Sequence, residues 1–177
     1  TVTAEIAGKT TEFNVNVYDA AGDMHGFIVY DFMYEETNIW AKFNDNDLST
    51  GVGLANTDDY GVDAAEYYNG KVYVYDNMNS QYLVLNAEST KYEVEKRIKI
   101  EHPDMADMAF DYSEGVMYAL SCVRNVDSNT TLYAVNIEDG TFYKIGDQNT
   151  TLKAIACTTD GILYGVDAYG AFYQIDK

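Results

Sequence analysis

The side chains of this sequence that could do chemistry are mostly carboxylates and tyrosines. Its 177 residues hold 29 Asp and Glu against 11 Lys and Arg, with 17 Tyr, two His and two Cys. Paired carboxylates are the machinery of glycoside cleavage, but so many acids make proximity certain and no spacing singles out one pair. His25 falls in a stretch that reads as a long hairpin loop and His102 in a linker beside Pro103. Neither has Ser or Cys at motif spacing, so neither reads as a catalytic base. Cys122 and Cys157 lack a Cys-x-x-Cys and a neighbouring His, which excludes a zinc motif and leaves two thiols or one disulfide. There is no phosphate-cradling glycine loop, no Gly-x-Ser-x-Gly and no His-Glu-x-x-His. The expectation is a chain without catalytic residues.

Binding chemistry is better represented. Tyr60, Tyr67 and Tyr68 lie near Asp63, and aromatic faces beside carboxylates are how surfaces hold sugars and anchor protein partners. Asp107 takes the place of Asp63 in the next repeat, so the candidate ligand-binding residues are Tyr60, Asp63, Tyr67, Tyr68 and Asp107. In Asn44-Asp-Asn-Asp-Leu-Ser-Thr-Gly51, Asp45, Asp47 and Ser49 stand at alternate positions, the spacing that lets oxygens converge on a hard cation. Calcium is the one cofactor these residues admit. The glycine comes one place late for an EF-hand and the closing glutamate is missing, and a metal-free turn has the same composition.

The formal charge of −18 repels phosphate backbones and anionic lipid, which argues against nucleic acid as a partner and against membrane adsorption. No apolar run approaches the roughly 20 residues that span a bilayer, so no membrane insertion is expected. The first residue is Thr1 and no basic-then-apolar leader follows, so the chain reads as a piece of a longer protein. Charged residues at 23% beside 47% hydrophobic ones describe a folded domain rather than an acidic tail.

The elements that must position these side chains show up as a repeat. Asp63-Ala-Ala-Glu-Tyr-Tyr-Asn-Gly-Lys-Val-Tyr73 is followed by Asp107-Met-Ala-Phe-Asp-Tyr-Ser-Glu-Gly-Val-Met-Tyr118 and Lys153-Ala-Ile-Ala-Cys-Thr-Thr-Asp-Gly-Ile-Leu-Tyr164. Each is an apolar run, a polar turn ending in glycine, then x-x-Tyr opening a second run. Gly70, Gly115 and Gly161 are 45 and 46 residues apart, and Gly26 lies 44 before Gly70, with Phe13–Tyr18 ahead of it as a first run. A third run recurs as Ile39–Asn44, Tyr82–Asn86, Leu132–Asn136 and Phe172–Asp176, and a fourth as Tyr92–Ile100 and Thr141–Ile145. Four strands per unit at this period predict an all-β fold, a β-propeller of about four four-stranded antiparallel blades. The units are about 13–56, 57–101, 102–147 and 148–177 of a single domain. The fourth stops one strand short, so Val2–Ile6, which alternates, is expected to complete it beside Ala171–Ile175 and close the ring. Closure predicts a monomer and an open arc a dimer. Lys91, Lys96, Arg97 and Lys99 fall on the outermost strand of the second unit, where lysines keep a free edge from pairing.

The segments Asp107–Tyr118 and Thr131-Leu-Tyr-Ala-Val-Asn-Ile-Glu-Asp-Gly-Thr-Phe-Tyr-Lys-Ile-Gly146 resemble the blades of secreted bacterial propellers of the quinoprotein-like type, and the pattern extends over residues 13–176. The tryptophans that many such blades carry are missing, so quinone binding does not carry over. A weaker likeness, in Asp63-Ala-Ala with Gly70-Lys-Val-Tyr73, is to hemopexin-type four-bladed propellers. The resemblance implies a non-catalytic extracellular binding module of a bacterial surface or secreted protein, with a protein or glycan ligand. The alternatives are a propeller-fold carbohydrate-active enzyme, lyase or hydrolase, and a structural spacer repeat in a large surface protein.

Overall fold

The computed structural model describes residues 2–6, 9–13, 23–28, 39–44, 47–57, 59–89, 91–121 and 129–177. They form an all-β fold of antiparallel meanders. A hairpin of β1 (Val2–Ile6) and β2 (Lys9–Phe13) comes first. Sheet I holds β3 (Asp23–Ile28), β4 (Ile39–Asn44) and β5 (Asp47–Asn56). Sheet II holds β6 (Ala64–Tyr68), β7 (Lys71–Asp76), β8 (Gln81–Asn86) and β9 (Val94–Lys99). Sheet III holds β10 (Met105–Asp111), β11 (Val116–Ser121), β12 (Thr131–Val135) and β13 (Phe142–Asp147). Sheet IV holds β14 (Leu152–Cys157), β15 (Leu163–Asp167) and β16 (Phe172–Ile175).

The turns follow from the repeat. Gly70, Gly115 and Gly161 all have positive φ, from +71° to +86°, a conformation that costs a side-chain-bearing residue about 1–2 kcal/mol. Strand residues alternate between faces, and in the middle strands both faces are apolar. In sheet II, Val72, Val74, Leu83 and Leu85 pack with Trp40, Tyr60 and Tyr92 towards sheet I. Tyr73, Tyr75, Tyr82 and Val84 point the other way, onto Met108, Phe110, Met117, Ala119 and Val135 of sheet III. The opposite face of sheet III offers Ala109, Tyr118, Leu120 and Leu132 to Leu152, Ile155, Leu163 and Ile175 of sheet IV. Each fully buried side chain of this size contributes roughly 1.5–3 kcal/mol. The first strands lie side by side, β6 against β10 and β10 against β14, so they form the inner row of the stack.

Polar bonds lock neighbouring sheets in register. The Tyr75 hydroxyl donates to the Gly140 carbonyl at 2.7 Å and the Tyr82 hydroxyl to the Ile137 carbonyl at 3.0 Å. Lys96 donates to the Glu138 carbonyl in the same β12–β13 turn at 2.7 Å. The Asn77 amide donates to the Met105 carbonyl at 2.9 Å and accepts from the Met105 N–H at 2.8 Å, which pins the start of β10 to sheet II. Sheet IV is tied to sheet III by Lys177, whose ammonium pairs with the buried Asp111 carboxylate and, at 3.4 Å, with Glu114.

Three expectations change. Val2–Ile6 does not lie beside Ala171–Ile175: it pairs residue for residue with Lys9–Phe13. Closing a hairpin between neighbours costs far less chain entropy than tying the two ends of a chain this long. The first run of the first unit, after Phe13, lies outside the described residues. His25 is in β3 opposite Lys42 rather than in a loop. Third, Asp63 and Asp107 are not equivalent. The ladder sets Tyr73 opposite Glu66 and Tyr118 opposite Ala109, so Asp107 corresponds to Ala64. Four residues join β10 to β11 where two join β6 to β7, so aligning the two units on their Asp residues slips the register by one, and one residue flips the face. Of the calcium candidates, Asp47 and Ser49 lie on β5, where Asp47 pairs with Asn44. Asp45 lies outside the described residues. Among the described residues no group of three or more His, Cys, Asp or Glu side chains is placed to hold a metal. Cys157 is a free thiol, and Cys122 lies outside the described residues.

Gly140 tests the lock between sheets II and III. Its φ is +72°, and a Cβ there would be driven into the Tyr82 ring. Gly140→Ala is expected to cost more than about 3 kcal/mol in urea unfolding, from the strained dihedral and the displaced ring together. Gly115→Ala, with similar φ but open space around it, should cost only about 1–2 kcal/mol.

Candidate functional site

The inner strands end in a cluster of aromatic rings around one carboxyl group. Tyr68, the last residue of β6, stacks on Phe110 of β10 with ring centroids 3.7 Å apart. Tyr112, in the β10–β11 turn, meets Phe110 edge-on at 5.0 Å and Tyr68 at 5.9 Å. Tyr67 and Tyr112 are more than half exposed, at 53% and 56%. Tyr67 is held by its own turn, its hydroxyl oxygen accepting the Gly70 N–H at 3.1 Å.

Glu66 lies on β6, on the strand face opposite Tyr67 and near enough to Tyr112 for its charge to act on that ring. Its carboxylate accepts the Tyr67 N–H at 3.1 Å. Burial pushes its pKa up to about 7 from an ordinary 4.5, the Tyr67 bond opposes that, and the Asp107 charge adds to it. Asp107 is also raised, first by burial, against the N–H groups of Ile155 and Met108, which donate to it at 2.8 and 2.9 Å. Both oxygens of Asp107 are therefore committed to backbone, and one of those bonds crosses to sheet IV. Glu66 has a free oxygen. The arrangement can offer a hydroxyl-bearing ligand the exposed Tyr112 ring and a carboxyl group that donates or accepts near neutral pH.

The five residues singled out in the sequence separate into four places. Tyr68 belongs to the aromatic cluster, with Asp107 coupled to its carboxyl group, and Tyr67 lies on the other face of β6 against its own turn. Asp63 precedes β6, at the strand's other end, where its carboxylate accepts the Asn77 N–H at 2.8 Å. Its pKa is raised, chiefly by burial, with Asp76 and Asp104 adding and Asn77 opposing. Tyr60 is only 8% exposed and its hydroxyl oxygen accepts the Trp40 indole N–H at 3.1 Å, so it serves the contact between sheets I and II. Glu66 and Tyr112 went unmarked in the sequence. The available signal was a lone acid inside the otherwise apolar run Ala64-Ala-Glu-Tyr-Tyr68, a position where a carboxylate is costly.

No protein-family model and no curated protein matches the sequence. Solved structures match in shape. A chain in the crystal structure of the mitotic checkpoint complex superposes at TM-score 0.49 with 12% identity, over 78% of this chain and 47% of that one. Kluyvelomyces marxianus Hsv2 gives 0.47 with 13% identity, over 94% and 51%. A putative 6-phosphogluconolactonase from Bacteroides fragilis gives 0.39 with 12% identity, over 94% and 58%. The chain thus spans about half the length of these proteins.

The raised Glu66 pKa has a signed consequence. Between about pH 4.5 and 7 the folded chain holds a proton there that the unfolded chain has released, so this contribution to stability falls as pH rises through that window. Glu66→Gln removes the dependence. In urea titrations the variant should gain about 1–3 kcal/mol over the parent at pH 8 and nothing at pH 4. An equal difference at both pH values would show that Glu66 titrates normally.

Proposed function

We propose that the chain is a non-catalytic binding module, a four-bladed arc of a β-propeller, that holds an uncharged or cationic glycan at the aromatic ends of its inner strands. The observation that carries this reading is the exposed Tyr112 ring, packed on Phe110 and close enough to the Glu66 carboxyl group to feel its charge, with the exposed Tyr67 on the other face of β6. A rigid ring at a half-buried site loses little side-chain entropy on binding and presents a face to the C–H groups of a sugar. The carboxyl group beside it suits the hydroxyls. The formal charge of −18 disfavours uronic acids, sulfated sugars and phosphates.

The reading is non-catalytic because glycoside cleavage takes two free carboxyl groups across one bond, and here the companion acid, Asp107, already accepts two backbone N–H groups. The resemblance to secreted bacterial propellers supports placing the module outside the cell, where such glycans are met.

Screening the domain against a neutral and amino-sugar glycan array, with product analysis of every hit, tests this. Tyr67→Ala and Tyr112→Ala should each weaken the best hit by about tenfold, the ~1–2 kcal/mol of a stacked aromatic contact, while the domain stays folded at the assay temperature. Binding that survives both substitutions, or turnover lost on changing a single carboxyl group to an amide, would contradict the reading.

A further inference from the structure

The turn between β6 and β7 consists of Asn69 and Gly70 alone, closed by the pair Tyr68 and Lys71. Both residues have positive φ, 51° and 76°, as a two-residue hairpin turn of this kind demands. Asn69 is exposed, and Asn-Gly occurs nowhere else in the sequence. Asparagine is a thermolabile residue, and a following glycine makes it more so. With no side chain, glycine leaves its backbone nitrogen unscreened from the asparagine's own side-chain carbonyl carbon.

What that nitrogen is bonded to decides how readily it reacts. The other described glycines with positive φ are Gly115, Gly140, Gly161 and Gly170. Each donates its N–H to a backbone carbonyl three or four residues back, at 2.8–3.2 Å. Gly70 donates instead to a side chain, the Tyr67 hydroxyl, at 3.1 Å. A bond made by the neutral N–H opposes loss of its proton, and it holds the nitrogen in place. A carbonyl acceptor belongs to the backbone and stays whatever the side chain. This acceptor is a single oxygen on Tyr67.

We propose that Asn69 is a site of spontaneous deamidation through a cyclic imide, with the Tyr67 hydroxyl as its brake. The Gly70 nitrogen loses its proton and bonds to the Asn69 side-chain carbonyl carbon. The bond from that carbon to the side-chain nitrogen breaks, and the nitrogen leaves as ammonia, taking the proton. Water then opens the imide at one of its two carbonyls, giving aspartate or β-linked isoaspartate. Isoaspartate puts an extra carbon into the backbone of a turn that has no spare residue. Every residue from Ala64 to Tyr68 is paired across that turn, so the extra length is passed to the ladder. Tyr68, stacked on Phe110, stands directly before it. The Gly70 carbonyl accepts the Ala87 N–H at 3.0 Å, which couples the turn to the end of β8 as well. None of this requires a bound glycan.

The whole chain and its Tyr67→Phe variant are held folded at pH 8 and 37 °C, and amide loss is followed by peptide-map mass spectrometry. Tyr67→Phe keeps the ring and removes the acceptor. It should lose the Asn69 amide about fivefold faster than the parent, the weight of one hydrogen bond. In concentrated urea, where the turn is gone, the two should share one rate, faster than that of the folded parent. Asn79, exposed in the β7–β8 turn and followed by Ser80, is the internal reference and should keep its rate in the variant. Equal folded rates at Asn69 in parent and variant overturn the proposal. So does a parent that reacts as fast folded as in urea, or an Asn69 that keeps its amide in every sample. Acceleration of Asn79 in step with Asn69 overturns it equally, because a loosened fold would then be the cause.

Discussion

A sheet whose strands alternate apolar residues on both faces cannot rest against water on either side, and sheets II and III are of this kind. Val74 and Tyr75 are neighbours in sequence, both fully buried, and face opposite ways. The only arrangement that satisfies both is a stack, sheet against sheet, with each one completing its neighbour's core. The inner row of β6, β10 and β14 and the placing of Tyr68 over Phe110 both follow from that stacking.

Tyrosine and aspartate divide the polar work of this stack. Tyr75 and Tyr82 bury large rings and still reach backbone carbonyls of the next sheet with their hydroxyls, which a phenylalanine could not do. Asp76, Asp111 and Asp167 are buried and organise turns. Burial alone would raise their pKa values, but the bonds they accept hold all three below the usual carboxylate range. Asp167 accepts from the N–H groups of Tyr169 and Ala171 and from the Tyr173 hydroxyl, at 2.8–2.9 Å. These three negative charges are therefore structural. Glu66 stands out against these three because burial wins there, and it stands out at the spot where the aromatic rings are exposed.

Much of this was legible before the fold was known. The spacing of Gly70, Gly115 and Gly161 marks turns that need positive φ, and Tyr73, Tyr118 and Tyr164 mark second strands, because both are local demands repeated in each unit. The charged strand β9 was legible for the same reason. Three things were not. The register between Asp63 and Asp107 depends on two extra turn residues, which aligning by residue type hides. The pairing of Val2–Ile6 is a contest between a near and a distant partner, and strand propensity cannot decide it. The burial of Tyr60 depends on Trp40, twenty residues away in sheet I. In the candidate site, Tyr67 and Tyr68 were visible as an unusual pair, whereas Glu66 gains its meaning only from the rings that other strands bring to it.

The account rests on the sheets forming one interlocked body, and the chain carries a reporter for that. Its single tryptophan, Trp40, lies between sheets I and II, stacked on Tyr92 at 4.5 Å. Leu132 is fully buried between sheets III and IV, at the far end of the stack. Leu132→Ala should destabilise the chain by about 2–5 kcal/mol. Urea unfolding of this variant, followed by Trp40 fluorescence, should shift to lower denaturant by the same amount as the transition followed by far-UV circular dichroism. A fluorescence transition left where it was, while the circular dichroism splits into two steps, would show that the sheets fold separately and that the stack is not the organising constraint.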